Sequence, residues 1–152
     1  MSLRDRLNED LKTAMRAKDA ARLSVIRGIK AAILQAETRG ERVVLDDPGI
    51  VQVIAKEVKE RQDAIEEFRR GGRADLVDKL TGEIAVLKDY LPEPLSEAEL
   101  AQLVETAISE TGAEGPKDMG RVMGWLTPKT RGRADGKAVS EAVKTALQRR
   151  AQ

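Results

Sequence analysis

The basic side chains near the carboxyl end of the chain are the residues best suited to chemistry, because they stand among glycines and prolines instead of along a regular helical face. Lys129, Arg131, Arg133 and Lys137 fall within nine residues. Like charges this close repel one another unless an anion lies nearby, so the cluster predicts contact with a polyanion, and an RNA backbone fits better than an acidic protein. Taken singly, each cation is explained more simply as solvated charge.

Two further cations, Arg121 and Lys117, are predicted to extend this basic surface. From Gly115 to Gln152 the chain carries nine basic and three acidic residues, a net charge of +6. Residues 92–114 carry six glutamates and no cation. The total charge of +1 therefore hides a polarised last third, which favours an anionic partner for one segment and leaves the acidic segment as a candidate face for docking a protein.

A glycine-bearing loop followed by a lysine and a helix, residues 132–138, raises the question of a nucleotide P-loop, and its spacing excludes one. Gly132 and Gly136 enclose three residues where that loop needs four, and Ala138 follows Lys137 where it needs serine or threonine. The start of the last helix would still attract a phosphate, but Asp135 is predicted to cap the same amides. The loop is therefore either a structural turn or a nucleic-acid contact.

The only tryptophan lies just before the basic cluster. An exposed Trp125 would stack on an unpaired base, as aromatic side chains commonly do in RNA recognition. Val122 and Met123 on the same predicted helix favour a core or half-buried ring instead. Gly120 and Gly124, one helical turn apart, would allow a neighbouring helix to approach closely.

The chain has neither cysteine nor histidine, which removes thiolate nucleophiles, the usual general base near neutral pH and the commonest metal ligand. Carboxylates on the third predicted helix, such as Glu57 and Glu60, stand beside lysine or arginine, so a raised pKa has no obvious cause there. We predict no catalytic residue, no metal site and no cofactor, and a protein that leans toward not being an enzyme.

The composition also sets expectations about location. No stretch approaches the roughly 18 apolar residues that span a bilayer, and the residues after Met1 do not form a signal peptide. The absence of cysteine fits a reducing compartment. We therefore expect a cytoplasmic protein that does not contact a membrane.

Helices are predicted to position all of these residues, since Ala, Leu, Glu, Lys and Arg dominate and aromatic residues make up only 2% of the chain. Apolar residues at three- and four-residue spacing predict four helices in the first half. Their predicted caps or starts are Ser2, Asp19, Asp47-Pro48 and Ala74, and their ends are set by Gly40, Gly71-Gly72 and Leu91. The sequence thus predicts an all-α fold that begins with a four-helix bundle.

Pro92 and Pro94 mark the predicted boundary between a domain at 1–91 and a small three-helix domain at 92–152. Ser96 and Glu99 predict a capping box for the fifth helix. The sixth helix is predicted to start near Pro116 and to be ended by Pro128, and Asp135 is predicted to cap the seventh.

The segment MGRVMGWLTPKTRGRADGKAVSEAVK resembles the GatB/YqeY family, and the match covers the whole chain. The half from SLRDRLNEDL to VLKDYLP looks like the helical domain of free-standing YqeY proteins. From LSEAEL onward the chain is similar to the tail domain of the B subunit of tRNA-dependent amidotransferases. The residues that carry the motif are Gly120, Gly124, Pro128, Gly132, Asp135 and Gly136.

The resemblance implies contact with tRNA through the tail domain, while the chemistry of the amidotransferase belongs to parts that this chain lacks. The family label, carbon–nitrogen ligase with glutamine as amido-N-donor, describes that larger complex. The leading hypothesis is thus a non-catalytic accessory protein that binds tRNA or a tRNA-bearing enzyme. The alternatives are a component of glutamine-dependent tRNA amidation that acts only with amidotransferase subunits, and a protein-interaction scaffold.

Overall fold

A computed structural model describes all 152 residues, which form seven α-helices and one short 3-10 turn, with no β-strand. The helices are α1 (Leu3–Arg16), α2 (Ala20–Thr38), α3 (Asp47–Arg70), α4 (Ala74–Lys88), α5 (Glu97–Thr111), α6 (Met119–Thr130) and α7 (Gly136–Arg150), with the 3-10 turn at Pro116–Asp118. The predicted all-α fold is confirmed. None of the seven helices combines the length and the apolar composition that crossing a bilayer requires.

The chain divides into two compact units, Met1–Leu91 and Pro92–Gln152, and each has its own apolar core. In the first unit α1 to α4 pack against one another. Aliphatic side chains dominate this core because the chain offers almost no aromatic residues. The fully buried large side chains of this unit are Leu7, Ile26, Ile29, Ile50, Ile54 and Leu87.

The first two helices begin where their capping residues predict. The Ser2 hydroxyl accepts a hydrogen bond from the Asp5 amide at 3.0 Å, and the Asp19 carboxylate accepts one from the Arg22 amide at 3.1 Å. Each side chain satisfies one of the amides that have no partner inside a helix. These two sequence predictions are confirmed.

The third helix is capped one residue earlier than predicted. Asp46, not Asp47, is the N-cap, and its carboxylate accepts from the Gly49 amide at 3.0 Å. Asp47 instead accepts a hydrogen bond from the Leu3 amide at 3.0 Å, which ties the start of α3 to the start of α1. The two adjacent aspartates are equally good caps, so only the contact with Leu3 distinguishes them.

The fourth helix ends at Lys88, three residues before the predicted Leu91. The chain just after it is held by Tyr90, whose hydroxyl donates to the Asp10 carboxylate at 2.5 Å and whose ring lies 4.6 Å from the Arg6 guanidinium. Burial, and then the bond to Asp10, raise the pKa of Tyr90. Tyr90 thus joins the end of α4 to α1.

In the second unit α5, α6 and α7 pack around Val104, Ile108, Val122, Leu126 and Leu147. The predicted capping box is confirmed. The Ser96 hydroxyl accepts from the Glu99 amide at 3.1 Å, and the Glu99 carboxylate accepts from the Ser96 amide at 3.1 Å. This second bond is the main reason why the pKa of Glu99 is lowered.

The sixth helix continues past Pro128, contrary to the prediction that the proline ends it. Proline removes a single intrahelical donor, and here it does so only two residues before the end of the helix at Thr130. Leu126 and Thr130 are buried in this last turn. Their packing outweighs the loss of one hydrogen bond, which explains why the helix is not interrupted.

Candidate nucleic-acid interface

The segment from Lys129 to Lys137, here called the basic loop, comprises the last turn of α6, a tight bend and the start of α7. The amides of Arg133 and Ala134 both donate to the Thr130 carbonyl, at 2.9 and 3.0 Å. Gly132 takes a φ of +73°, a left-handed conformation that side-chain-bearing residues seldom adopt. The bend is therefore defined by its own backbone bonds and by one glycine.

Two cations of the basic loop are exposed and have no partner of any kind within the chain. The side chains of Arg131 and Lys137 both face solvent and form neither an ion pair nor a hydrogen bond within the chain. They lie on the two sides of the bend, one directly after α6 and one in the first turn of α7. These two groups are free to bind an external anion.

Arg133 has an internal role that the sequence did not predict. Its Nε donates to the Glu93 carbonyl at 2.8 Å, and its own carbonyl accepts from the Leu95 amide at 2.8 Å. The half-buried Arg133 thus fastens the segment before α5 to the basic loop. A contact over 40 residues of sequence cannot be read from spacing, which is why only the tertiary structure shows it.

The structure does not bring Arg121 and Lys117 together with the basic loop. Lys117 lies in the 3-10 turn and Arg121 in the first turn of α6, at the opposite end of that helix from Lys129. A helix of 12 residues is about 18 Å long. Arg121 is also engaged internally, since it donates to the Asp118 carboxylate at 2.8 Å and to the Thr111 carbonyl at 3.0 Å.

Asp135 is the N-cap residue of α7, but its side chain accepts no hydrogen bond from the helix. The predicted side-chain cap is therefore absent, although the helix begins where it was expected. The first backbone bond of α7 runs from the Val139 amide to the Asp135 carbonyl at 3.0 Å. Because this end of α7 is exposed, solvent can bind the amides that precede Val139, which have no partner inside the helix.

Trp125 is half-buried and packs against the core of the second unit, as its apolar neighbours predicted. The Lys129 ammonium lies 4.0 Å from the centre of the ring, a cation–π contact. This pair was not predicted, although a separation of four residues on a helix is the spacing that brings two side chains together. Lys129 is therefore exposed but occupied.

Gly120 and Gly124 do not serve close helix packing. A Cβ added at either position would have no atom within 4 Å, other than those of the helix itself and its chain neighbours. The prediction that a neighbouring helix packs closely against them is therefore wrong. These glycines face solvent, while Val122 and Leu126 face the core. They leave α6 with bare backbone on its exposed side.

The acidic residues form no site for a metal ion, since no three of them converge. On α3, Glu60 and Asp63 lie 3.9 Å from Lys56 and Lys59, respectively, as exposed ion pairs. A cavity of about 440 Å³ lies beside α1 and α2 in the first unit. Its polar groups bind one another, Arg4 to Glu37 at 2.6 Å and Lys30 to Asn8 at 2.7 Å.

Three fungal proteins illustrate what this chain is similar to, and each is called altered inheritance of mitochondria protein 41, mitochondrial. The protein of Pyrenophora tritici-repentis is 37% identical over 141 residues, which are 91% of this chain and 77% of the relative. That of Lachancea thermotolerans is 32% identical over 90% of this chain and 76% of its own length. That of Kluyveromyces lactis is 35% identical over 82% and 69%.

These relatives contradict the cytoplasmic localisation expected from the sequence, because their names place them in mitochondria. The expectation rested on the residues after Met1, on the lack of a long apolar stretch and on the absence of cysteine. None of these observations distinguishes one reducing compartment from another.

A family model described as Yqey-like protein matches residues 4–147, nearly the full length of the chain and both of its compact units. This match agrees with the resemblance seen in the sequence of the basic loop and the helices around it. The chain belongs to the YqeY-like protein family.

Proposed function

We propose that this protein is a non-catalytic accessory factor that binds tRNA, or an enzyme complex carrying tRNA, through the basic loop of its second unit. The observation that carries the proposal is the pair Arg131 and Lys137, two exposed cations without an anionic partner on either side of a bend held by its own hydrogen bonds. Lys129 and the remaining donors of Arg133 stand beside them.

A small number of phosphate contacts suits this role. Each cation that neutralises a phosphate releases a counterion, so binding weakens as salt rises, and such contacts carry no base sequence. The basic loop would therefore recognise a shape that many tRNAs share instead of one sequence. The likeness of the segment after Pro94 to an amidotransferase tail domain supports tRNA as the polyanion.

The test compares two double variants that remove the same charge. The double variant Arg131→Ala with Lys137→Ala should weaken binding of a tRNA transcript. It should also lower the slope of log Kd against log salt concentration by about 1 to 2. Lys117→Ala with Lys144→Ala serves as the matched control, because both lysines are exposed, unpaired and outside the basic loop. Filter binding across a salt series gives the measurement. Equal, salt-insensitive retention of tRNA by all three proteins would remove the proposal.

A second candidate is a role inside glutamine-dependent tRNA amidation, which the same likeness to the tail domain favours. In that case the protein should co-purify with amidotransferase subunits and change the turnover of Gln-tRNA or Asn-tRNA formation when it is added. An assay in which the protein has no effect on either product would exclude this role and leave tRNA binding untouched.

We also propose that the two compact units are independent domains, a four-helix bundle at 1–91 and a three-helix domain at 92–152. Support comes from the separate clusters of buried side chains in the two units.

A further inference from the structure

We infer that Trp125 is a stacking site for an unpaired nucleobase, and that Lys129 covers the ring until RNA binds. This inference rests on the proposed function, since it concerns the same second unit and names the class of RNA that it would take. The site consists of one aromatic ring and the basic loop that follows it on the chain.

The position of the ring supports this use. Trp125 packs against the core of the second unit, yet the residue is only half-buried. The Lys129 ammonium lies 4.0 Å from the centre of the ring, and Lys129 itself is exposed. A face that can hold an ammonium group at this distance can also hold the flat face of a base once the lysine has moved.

Two neighbours of Trp125 on α6 place no free side chain beside it. Gly124, directly before it, has no side chain and borders open space. Arg121, one turn before it, is held away by Asp118 and by the Thr111 carbonyl. Lys129, whose ammonium lies over the ring, is a side chain that a base stacking on that face would displace.

Stacking of a base on Trp125 is expected to contribute more free energy than the contact with Lys129 that it replaces. An exposed cation–π contact favours the closed position by only about 2- to 5-fold. Stacking of a base on an aromatic ring contributes about 5- to 150-fold in affinity. The displaced Lys129 ammonium can then donate a hydrogen bond to a phosphate of the same RNA close to Arg131. Binding of RNA thus exchanges a weak internal contact for two external ones.

The consequence is selection for unpaired nucleotides. In a continuous duplex the bases are stacked on one another and present no free face, whereas loops and single-stranded ends can present one. The basic loop alone would bind duplex and single strand through phosphates. Trp125 would add affinity for the single strand only.

The experiment uses the whole chain of 152 residues, whose single tryptophan is its own fluorescent reporter. The probes are a short oligoadenylate and an RNA duplex of equal length, each carrying a dye so that binding is measured separately by anisotropy. We expect both to bind, and the tryptophan fluorescence to be quenched by the oligoadenylate but not by the duplex. Trp125→Leu should lose about fivefold or more in affinity for the oligoadenylate and keep its affinity for the duplex. Trp125→Phe should retain most of the preference.

The outcomes separate this inference from the proposed function. If both RNAs bind equally well and neither changes the fluorescence of the wild-type protein, the stacking site is overturned while phosphate binding stands. If neither RNA changes the anisotropy, the proposed function fails and the stacking site fails with it. Circular dichroism of both Trp125 variants shows whether a lost affinity reflects lost folding, and the wild-type fluorescence decides the question in either case.

Discussion

At the scale of single residues, Asp118 concentrates the local interactions that set the start of α6. Its carboxylate accepts the Glu114 amide at 2.9 Å and an Arg121 nitrogen at 2.8 Å. The bond from the Glu114 amide, followed by that from Arg121, lowers the pKa of Asp118 from 3.8 to about 2. Asp118 thus fixes the turn from which α6, and with it Trp125, extends.

This shift gives a prediction for acid stability. A carboxyl group whose pKa is depressed in the folded state stabilises the fold above its unfolded pKa, and loses that contribution as pH falls through the folded value. The contribution of Asp118 should therefore be complete above about pH 4 and disappear toward pH 2. Asp118→Asn should lower the urea midpoint near neutral pH, and the difference from wild type should shrink between pH 4 and pH 2.

Glu114→Gln is the matched control, because Glu114 takes part through its backbone amide and its side chain makes no hydrogen bond. It should leave the pH dependence of the urea midpoint unchanged. A difference between wild type and Asp118→Asn that stays constant over the whole acid range would contradict a lowered pKa.

At the scale of secondary structure elements, α6 is a weak helix that packing holds in place. Two of its 12 residues are glycines facing solvent, and Pro128 interrupts the hydrogen bonding of its last turn. Val122 and Leu126 compensate by being completely buried. Replacing a solvent-facing glycine with a residue that favours the helix should therefore stabilise α6 without disturbing the side that faces the core.

Gly124→Ala is predicted to raise the free energy of unfolding by roughly 0.5–1 kcal/mol, since alanine favours the helix and its methyl group meets open space. Gly112→Ala is the contrasting variant. Gly112 ends α5 with a φ of +66°, so alanine there should cost about 1–2 kcal/mol. Urea unfolding of the two variants gives the comparison, and a loss of stability in Gly124→Ala would mean that α6 packs against something on its glycine side.

At the scale of the whole molecule, the two compact units do not share a hydrophobic core. The buried residues of Met1–Leu91 and those of Pro92–Gln152 form separate clusters. The smaller unit, Pro92–Gln152, has a length within the range of about 55–65 residues in which many domains fold alone. The separate cores predict that each unit folds by itself.

We expect a fragment of residues 92–152 to be helical by circular dichroism and to unfold cooperatively in urea. Leu126→Ala should abolish that transition. Replacing a buried leucine with alanine typically costs about 2–5 kcal/mol, and the free energy of unfolding of a domain this small is of similar size. The fragment should also retain the tRNA binding of the full chain, whereas the fragment 1–91 should not. A fragment 92–152 that is unfolded, or that unfolds without a transition, would contradict independent domains.

The sequence by itself determined the helices and most of their limits. Capping and apolar periodicity act over three or four residues, so Ser2, Asp19 and Ser96 mark helix starts whatever the rest of the chain does. Where two neighbours offered the same local chemistry, as Asp46 and Asp47 do, the choice fell to a distant amide, that of Leu3.

Only the tertiary structure decided which cations are available to a ligand. Arg121 is bound by Asp118, Arg133 by the Glu93 carbonyl and Lys129 by the face of Trp125. Arg131 and Lys137 remain without partners in the basic loop, and Lys117 remains without one outside it. The charge of a side chain is a property of its type, but its partners depend on which atoms the folded chain brings within hydrogen-bonding distance. A basic stretch can therefore be recognised in a sequence, whereas its binding residues become distinct only once the chain has folded.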